Sequence, residues 1–249
     1  MLGLIPTMVQ PDSVIYALRP RLWLDARYVS GASGAAVATL PDRSGNATNA
    51  TQAVGAAQPA KILGGANGPI VRFDGTTDGM ATAAIDLTTF AACTLVAVAD
   101  NNNAGAAGYV VVESSASYSL NVGAMLLAYG VTIADDVDYG HRGDVGAGFK
   151  VTTLAQAGMR RLIMVSDFSA AAAAEVVAYS NGSVPATADT NVENTGTSHG
   201  NHAFNIGARA NAASLFLTGD ISQILLFTRV LTAAEVAALD AALLGIVGP

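Results

Sequence analysis

Four glutamates, Glu113, Glu175, Glu193 and Glu235, are the first residues to weigh for chemistry. Retaining cleavage of a glycosidic bond needs two carboxylates about 5 Å apart. None of the four has a second acid two residues away, the spacing that puts both on one face of a strand. Glu235 follows Thr232 by three residues and reads as half of a helix capping box. Glu113 follows an apolar run and reads as a strand-end or edge charge. The run Asp135-Asp136-Val-Asp138-Tyr-Gly140 gathers acids near a glycine, with Asp144 beyond. Asp135, Asp136 and Asp138 are therefore candidate calcium ligands, against a solvated acidic loop as the plainer reading. The glutamate that would complete an EF-hand is missing. His199 and His202 stand three apart in a polar stretch and read as surface loop. Cys93, the one cysteine, lies in an apolar run and reads as a core thiol. No cofactor motif is present; calcium is the one ion for which the acids make a case.

These residues need elements to hold them. Short apolar runs alternate with Gly, Asn, Asp and Ser clusters, which predicts strands. They fall at 70–73, 93–99, 109–112, 117–122, 124–129, 161–166, 175–180, 203–208 and 219–227. Asn181-Gly182 between β-prone flanks marks a tight hairpin. Asp42, Ser44 and Asn46 read as an Asx-type turn. Along 219–227, Ile221, Gln223, Leu225 and Phe227 would share one face. One helix is signposted after Thr232, with Val236, Leu239 and Leu243 on one side. Many strands and one terminal helix predict an all-β, two-sheet antiparallel sandwich.

Four segments resemble the concanavalin A-like (laminin-G-like) jelly roll. Leu22-Trp-Leu-Asp-Ala26, with Asp42-Arg-Ser-Gly-Asn46 and Ala50-Thr-Gln52, is similar to its opening pattern. Val71-Arg-Phe-Asp-Gly75 with Asp78 resembles an inner strand, and Asn181-Gly182 a hairpin. The stretch from Phe216 through Gly219, Ile221, Ile224, Arg229, Leu231 and Glu235 resembles the closing signature, with Gln223 where glutamate is usual. The resemblance implies a jelly-roll sandwich with a short C-terminal helix over residues 21–249, behind an N-terminal arm, 1–20. Its hydrolases carry an E-x-D-x-x-E strand, which this chain lacks, so no enzymatic activity is expected. Trp23 and Phe73 are expected in the core.

Composition limits the partners. The chain has 249 residues, a formal net charge of −7 and a pI near 4.7, which gives no footprint for nucleic acid. Only 12% of residues are charged, against about 25% in ordinary soluble domains. The mean hydropathy of +0.42 comes largely from alanine, and no apolar run of spanning length supports membrane insertion. No secretory signal is read at the N-terminus. A lone, alanine-rich domain of this kind resembles bacteriophage virion proteins. The first expectation is a capsid decoration or tail-associated subunit, homo-oligomeric and located on the virion. Its partners would be capsid or tail proteins of the same particle. The arm, through Leu2, Leu4, Ile5, Met8 and Val9, is expected to dock on a neighbour, or else to cross its own sandwich; Pro6 and Pro11 resist helix there. The alternative is a carbohydrate-binding module for a host glycan. Tyr109, Tyr118, Tyr129 and Tyr139 are its available stackers, with Tyr129 and Tyr139 preferred.

Overall fold

The computed structural model describes residues 10–64, 67–102, 109–130, 136–144, 147–153, 158–171, 174–185, 188–189 and 196–248. Two α-helices flank sixteen strands within these residues. Helix α1 spans Pro11–Leu18 and α2 spans Ala233–Val247. The strands are β1 (Leu22–Asp25), β2 (Thr39–Leu40), β3 (Ala50–Thr51), β4 (Ala60–Ile62), β5 (Ile70–Asp74), β6 (Met80–Asp86), β7 (Ala92–Asn101) and β8 (Tyr109–Ser114). They continue with β9 (Met125–Tyr129), β10 (Asp136–Arg142), β11 (Ala147–Thr153), β12 (Arg160–Asp167), β13 (Val176–Ser180), β14 (Ala188–Asp189), β15 (Asn201–Ile206) and β16 (Thr218–Phe227).

The strands form two antiparallel sheets, as the hydrophobic pattern predicts. One runs β13-β12-β7-β16-β5-β4, with β1 also pairing β16. The other runs β14-β11-β10-β9-β8-β15-β6-β3-β2. Leu24, Phe73, Leu95, Leu127, Phe204 and Leu226 fill the space between them. A second apolar cluster lies on the outer face of the first sheet. There Trp23, Val96, Ile163, Leu225 and Phe227 meet Ile15 of α1 and Val236, Leu239, Leu243 and Val247 of α2. Each buried Leu or Val contributes about 2 kcal/mol of transfer free energy before ordering costs. Both helices therefore cap a sheet face that would otherwise be wet and apolar.

Local chemistry explains most boundaries. Thr232 accepts the Glu235 amide while Glu235 reaches back to the Thr232 amide, so the capping box forms as expected. Asn181 and Gly182 take φ of 49° and 78°, the left-handed pair that a two-residue hairpin needs. Pro11 does not block a helix; it opens one. As the first helical residue it lacks only an N–H that would have no intrahelical partner. Helix α1 packs on α2, so this part of the arm crosses its own sandwich. Residues Leu2, Leu4, Ile5, Met8 and Val9 lie outside the described residues.

Three further expectations are corrected. The predicted strand at 117–122 is a run of turns following β8. A bulge between Ile221 and Gln223 shifts the phase of β16, so Ile221 joins Ile224 and Leu226 in the inter-sheet core. Leu225 and Phe227 face the helices instead. The acidic run is not a loop: Asp136 and Asp138 belong to β10 and are buried. Among the described residues, no helix is long and apolar enough to cross a membrane.

Candidate functional site

Three places gather polar chemistry. The first is interior. His141 comes from β10 of one sheet, and Ser166 from β12 of the other. Glu175 precedes β13, and His199 precedes β15. His141 Nδ1 lies 2.7 Å from Ser166 Oγ, and its Nε2 lies 3.2 Å from Glu175 Oε2. Ser166 Oγ is also 3.4 Å from His199 Nε2. An ionised Glu175 only accepts, which places the His141 proton on Nε2 and leaves Nδ1 to accept from Ser166. The Phe168 ring stacks on His141 with centroids 4.4 Å apart and tilts against His199 at 4.9 Å.

The connectivity hydroxyl–imidazole–carboxylate is that of a nucleophilic relay. Its setting is not. Ser166 and His141 are fully buried, Glu175 and His199 nearly so, and Phe168 covers the imidazole. Burial pulls His141 down to about 4 against a weaker opposing pull from Asp167. Burial, then the neighbouring His141, pulls His199 down to about 3. Both imidazoles are neutral at physiological pH. The group is a polar clasp that ties the two sheets together, with His199 Nδ1 left without a partner among the described residues. The expectation that His199 lies in a surface loop is overturned. Its apolar cover comes from Phe168, a neighbour no local pattern around His199 would reveal.

The second place is an outer corner built by α1, the turn after β1 and the loop before β2's partner strand β3. Asp42 organises it. Its carboxylate accepts from the Trp23 amide at 3.0 Å, from the Ser44 and Thr48 amides at 2.9 Å, and from Ser44 Oγ at 2.9 Å. That is the expected Asx-type turn. The Arg43 amide donates to Trp23 O, which sends the Arg43 side chain outward over Tyr28. The guanidinium carbon sits 3.7 Å from the Tyr28 ring centroid, and Nη2 donates to the Tyr16 hydroxyl at 3.0 Å. The Tyr16 ring meets Trp23 edge-on at 4.9 Å. The Tyr28 hydroxyl donates to Asp12 at 3.0 Å, and Arg27 bridges Asp12 and Asp25. Partial burial, then the hydrogen bond to Asp12, raises the Tyr28 phenol, so it stays protonated and donating. Tyr16 is 46% exposed and Tyr28 42%. Among the described residues these are the exposed aromatic side chains.

The third place is a cleft of about 530 Å³ at the rim of β5 and β16, lined by Arg72, Asp74, Asp78, Asn102, Thr218 and Gly219 among others. Its charges are already spent. Arg72 forms a forked pair with Asp220 at 2.7 and 2.9 Å. Burial pushes the Asp74 carboxyl up, but hydrogen bonds from Thr76, Thr77 and Asp78 outweigh it and leave it well below the usual range. A groove of about 560 Å³ between α1 and α2, lined by Gln10, Pro11, Val14, Ala238 and Ala242 among others, is mainly apolar.

The residues singled out beforehand fall elsewhere. Tyr129 and Tyr139 are buried, with hydroxyls on Ala99 O at 3.0 Å and Tyr179 O at 3.3 Å. Neither offers a ring face to a sugar, because both point into the core between the sheets. Tyr118 is also buried, with its hydroxyl on His141 O at 2.6 Å. Asp136 and Asp138 are enclosed in strand β10, which removes the open loop on which a calcium cage depends. Asp135 lies outside the described residues. No group of three His, Cys, Asp or Glu that could hold a metal ion occurs among the described residues. Glu113 does stand at the end of strand β8, but not as an edge charge: it is fully buried, accepts the Tyr118 amide and holds Arg209 Nε at 2.9 Å. Cys93 is a core thiol as expected, and burial pushes it up to about 12. Tyr16 and Tyr28 were missed as a pair because α1 was missed; 12 residues of chain separate them.

Two antiparallel sheets closed over one apolar core, with two helices covering a second on an outer face, define a β-sandwich, the class that the pattern of short strands predicts. Solved structures share that fold. The binding domain of botulinum neurotoxin DC, in complex with rat synaptotagmin II, matches with TM-score 0.64 and 13% identity over 90% of this chain and 52% of that one. The binding domain of Paraclostridial Mosquitocidal Protein 1 matches with TM-score 0.63 and 14% identity over 90% and 52%. Trypanosoma rangeli sialidase matches with TM-score 0.59 and 13% identity over 93% of this chain and 34% of that one. The chain thus spans about a third of the sialidase and about half of each toxin binding domain. No family model and no curated protein matches the chain.

Proposed function

We propose that this protein is a non-catalytic recognition module that binds a saccharide at the Tyr16–Tyr28–Arg43 corner. The observation that carries the reading is the pairing of two exposed phenol rings in one patch, in a chain that buries its tryptophan and leaves no other described aromatic side chain exposed. Aromatic faces bind the apolar faces of sugar rings, and neighbouring Arg, Asp and Asn groups meet their hydroxyls. Asn46, at the tip of the same turn, is exposed. Support for recognition over catalysis comes from the burial of the Ser166–His141–Glu175 relay, and from the toxin binding domains among the similar folds.

The test is a glycan array followed by calorimetry on each hit, with and without calcium. Tyr28→Ala is expected to weaken binding at least tenfold while leaving the fold intact. Binding that survives both Tyr28→Ala and Tyr16→Ala unchanged would remove the corner from consideration.

A second reading places the module on a bacteriophage particle, as a capsid decoration or tail-associated subunit. It is favoured by the sparse charge, 12% of residues, which contacts with neighbouring subunits would accommodate. Mass spectrometry of purified particles, with copy number per particle, decides it; absence from particles sinks it.

A further inference from the structure

We infer that the ligand of the Tyr16–Tyr28–Arg43 corner is an acidic saccharide, bound through a carboxylate on Arg43; this rests on the saccharide reading above. The argument is charge accounting by position. Arg27, Arg72, Arg161, Arg209 and Arg229 each meet a carboxylate within 4 Å. Arg43 meets none among the described residues. Its side chain donates to the Tyr16 hydroxyl, and its Nε is enclosed without an acceptor. The nearest acid in sequence, Asp42, turns its oxygens inward onto Trp23, Ser44 and Thr48.

The rest of the corner agrees in sign. Arg21 borders the same turn, its carbonyl accepting from Ser44 Oγ and Asn46 Nδ2, and its guanidinium reaching Thr48 at 3.5 Å. Arg19, exposed, ends α1. Asp12 and Asp25 are both held by Arg27. Four arginines against Asp12, Asp25 and Asp42 give the corner a surplus of one positive charge, in a chain of net charge −7.

Geometry then selects the anion. Stacking on Tyr28 fixes the guanidinium plane, so less rotamer entropy is lost on binding. With Nε enclosed and Nη2 already donating to Tyr16, a carboxylate would meet the guanidinium end-on, through Nη1 and the second Nη2 proton, a planar edge that matches two oxygens better than a lone hydroxyl. A sugar acid supplies both halves: a ring for the phenols and a carboxylate for the fork.

The experiment uses the full chain and two matched pairs of probes. One pair is oligogalacturonate and its methyl ester; the other is sialyllactose and lactose. Calorimetry is run at about 25 and 300 mM salt. The acidic member of at least one pair is expected to bind at least tenfold tighter, with the preference shrinking in high salt. Arg43→Gln should abolish the preference while circular dichroism and Tm stay unchanged. Arg43→Lys, which keeps the charge and loses the fork, should restore it only in part. Equal binding of acidic and neutral members overturns the inference and leaves the saccharide reading standing. Binding of no saccharide overturns both. If Arg43→Gln does not fold, the wild-type salt dependence and the ester comparison still decide.

Discussion

The Trp23 indole donates to Gln223 Oε1 at 2.7 Å, across 200 residues of chain, and the Gln223 amide donates onward to Asp25 Oδ1 at 2.8 Å. All three groups are fully buried. A glutamine serves here because it accepts at one end and donates at the other. Glutamate, the more usual residue at this place in the resembling signature, would set a second carboxylate against Asp25. Gln223→Glu is therefore expected to cost about 2–4 kcal/mol at pH 7. The deficit should narrow toward pH 4, where a protonated glutamate regains the donor. Thermal unfolding at both pH values checks it.

The Arg161–Asp240 pair fastens α2 to β12. Nε to Oδ1 is 2.8 Å, and the side chains are only 9% and 11% exposed. Removing the acid strands a nearly buried guanidinium. Asp240→Ala is expected to lose about 3 kcal/mol in urea unfolding. Arg229→Ala, which breaks the exposed pair with Glu235, should lose far less.

Gly219 is required by space. A Cβ there would lie 2.1 Å from the backbone oxygen of Asp100 on β7. Backbone cannot yield as a side-chain tip can. Gly219→Ala is expected to destabilise by about 2 kcal/mol or more and to raise proteolysis of the free chain. An unchanged Tm would contradict the close approach.

The histidine clasp makes stability fall with acid. His141 and His199 titrate near 4 and 3 when folded, against 6.5 when exposed. The unfolded chain therefore takes up protons first as pH drops below about 6.5. Stability present above that point is lost between pH 6.5 and the folded values, on the order of 2 kcal/mol per histidine by pH 5. Asp167 and Glu175 favour the charged imidazole and moderate the loss; Ser166 and Phe168 carry no charge to oppose it. Unfolding free energies from pH 7 to 5 should show this slope. His199→Asn should be less stable at pH 7 yet flatter with pH.

Elements whose cause is local were legible in the sequence. The Asn181-Gly182 hairpin, the Thr232–Glu235 box and the Asp42 turn each depend on residues within a few positions. Elements whose cause is distant were not. Asp136 and Asp138 break the apolar run that would mark β10, and only burial between β9 and β11 makes that segment a strand. The bulge at Gln223 reverses the facing of Ile221 without any signal in the alternation itself. Pro11 illustrates a rule applied at the wrong place: proline breaks a helix interior but suits its first residue. With α1 unseen, Tyr16 had no reason to stand beside Tyr28, and the buried tyrosines took their role.

Strand β1 pairs with β16, so Trp23 finds its cover only once residues about 200 positions further along are in place. Such long-range closure is a slow, late event in folding, because the entropy of bringing distant segments together comes before its contacts can reward it. The single tryptophan sits at that seam. Its fluorescence is therefore expected to report the closure of β1 on β16.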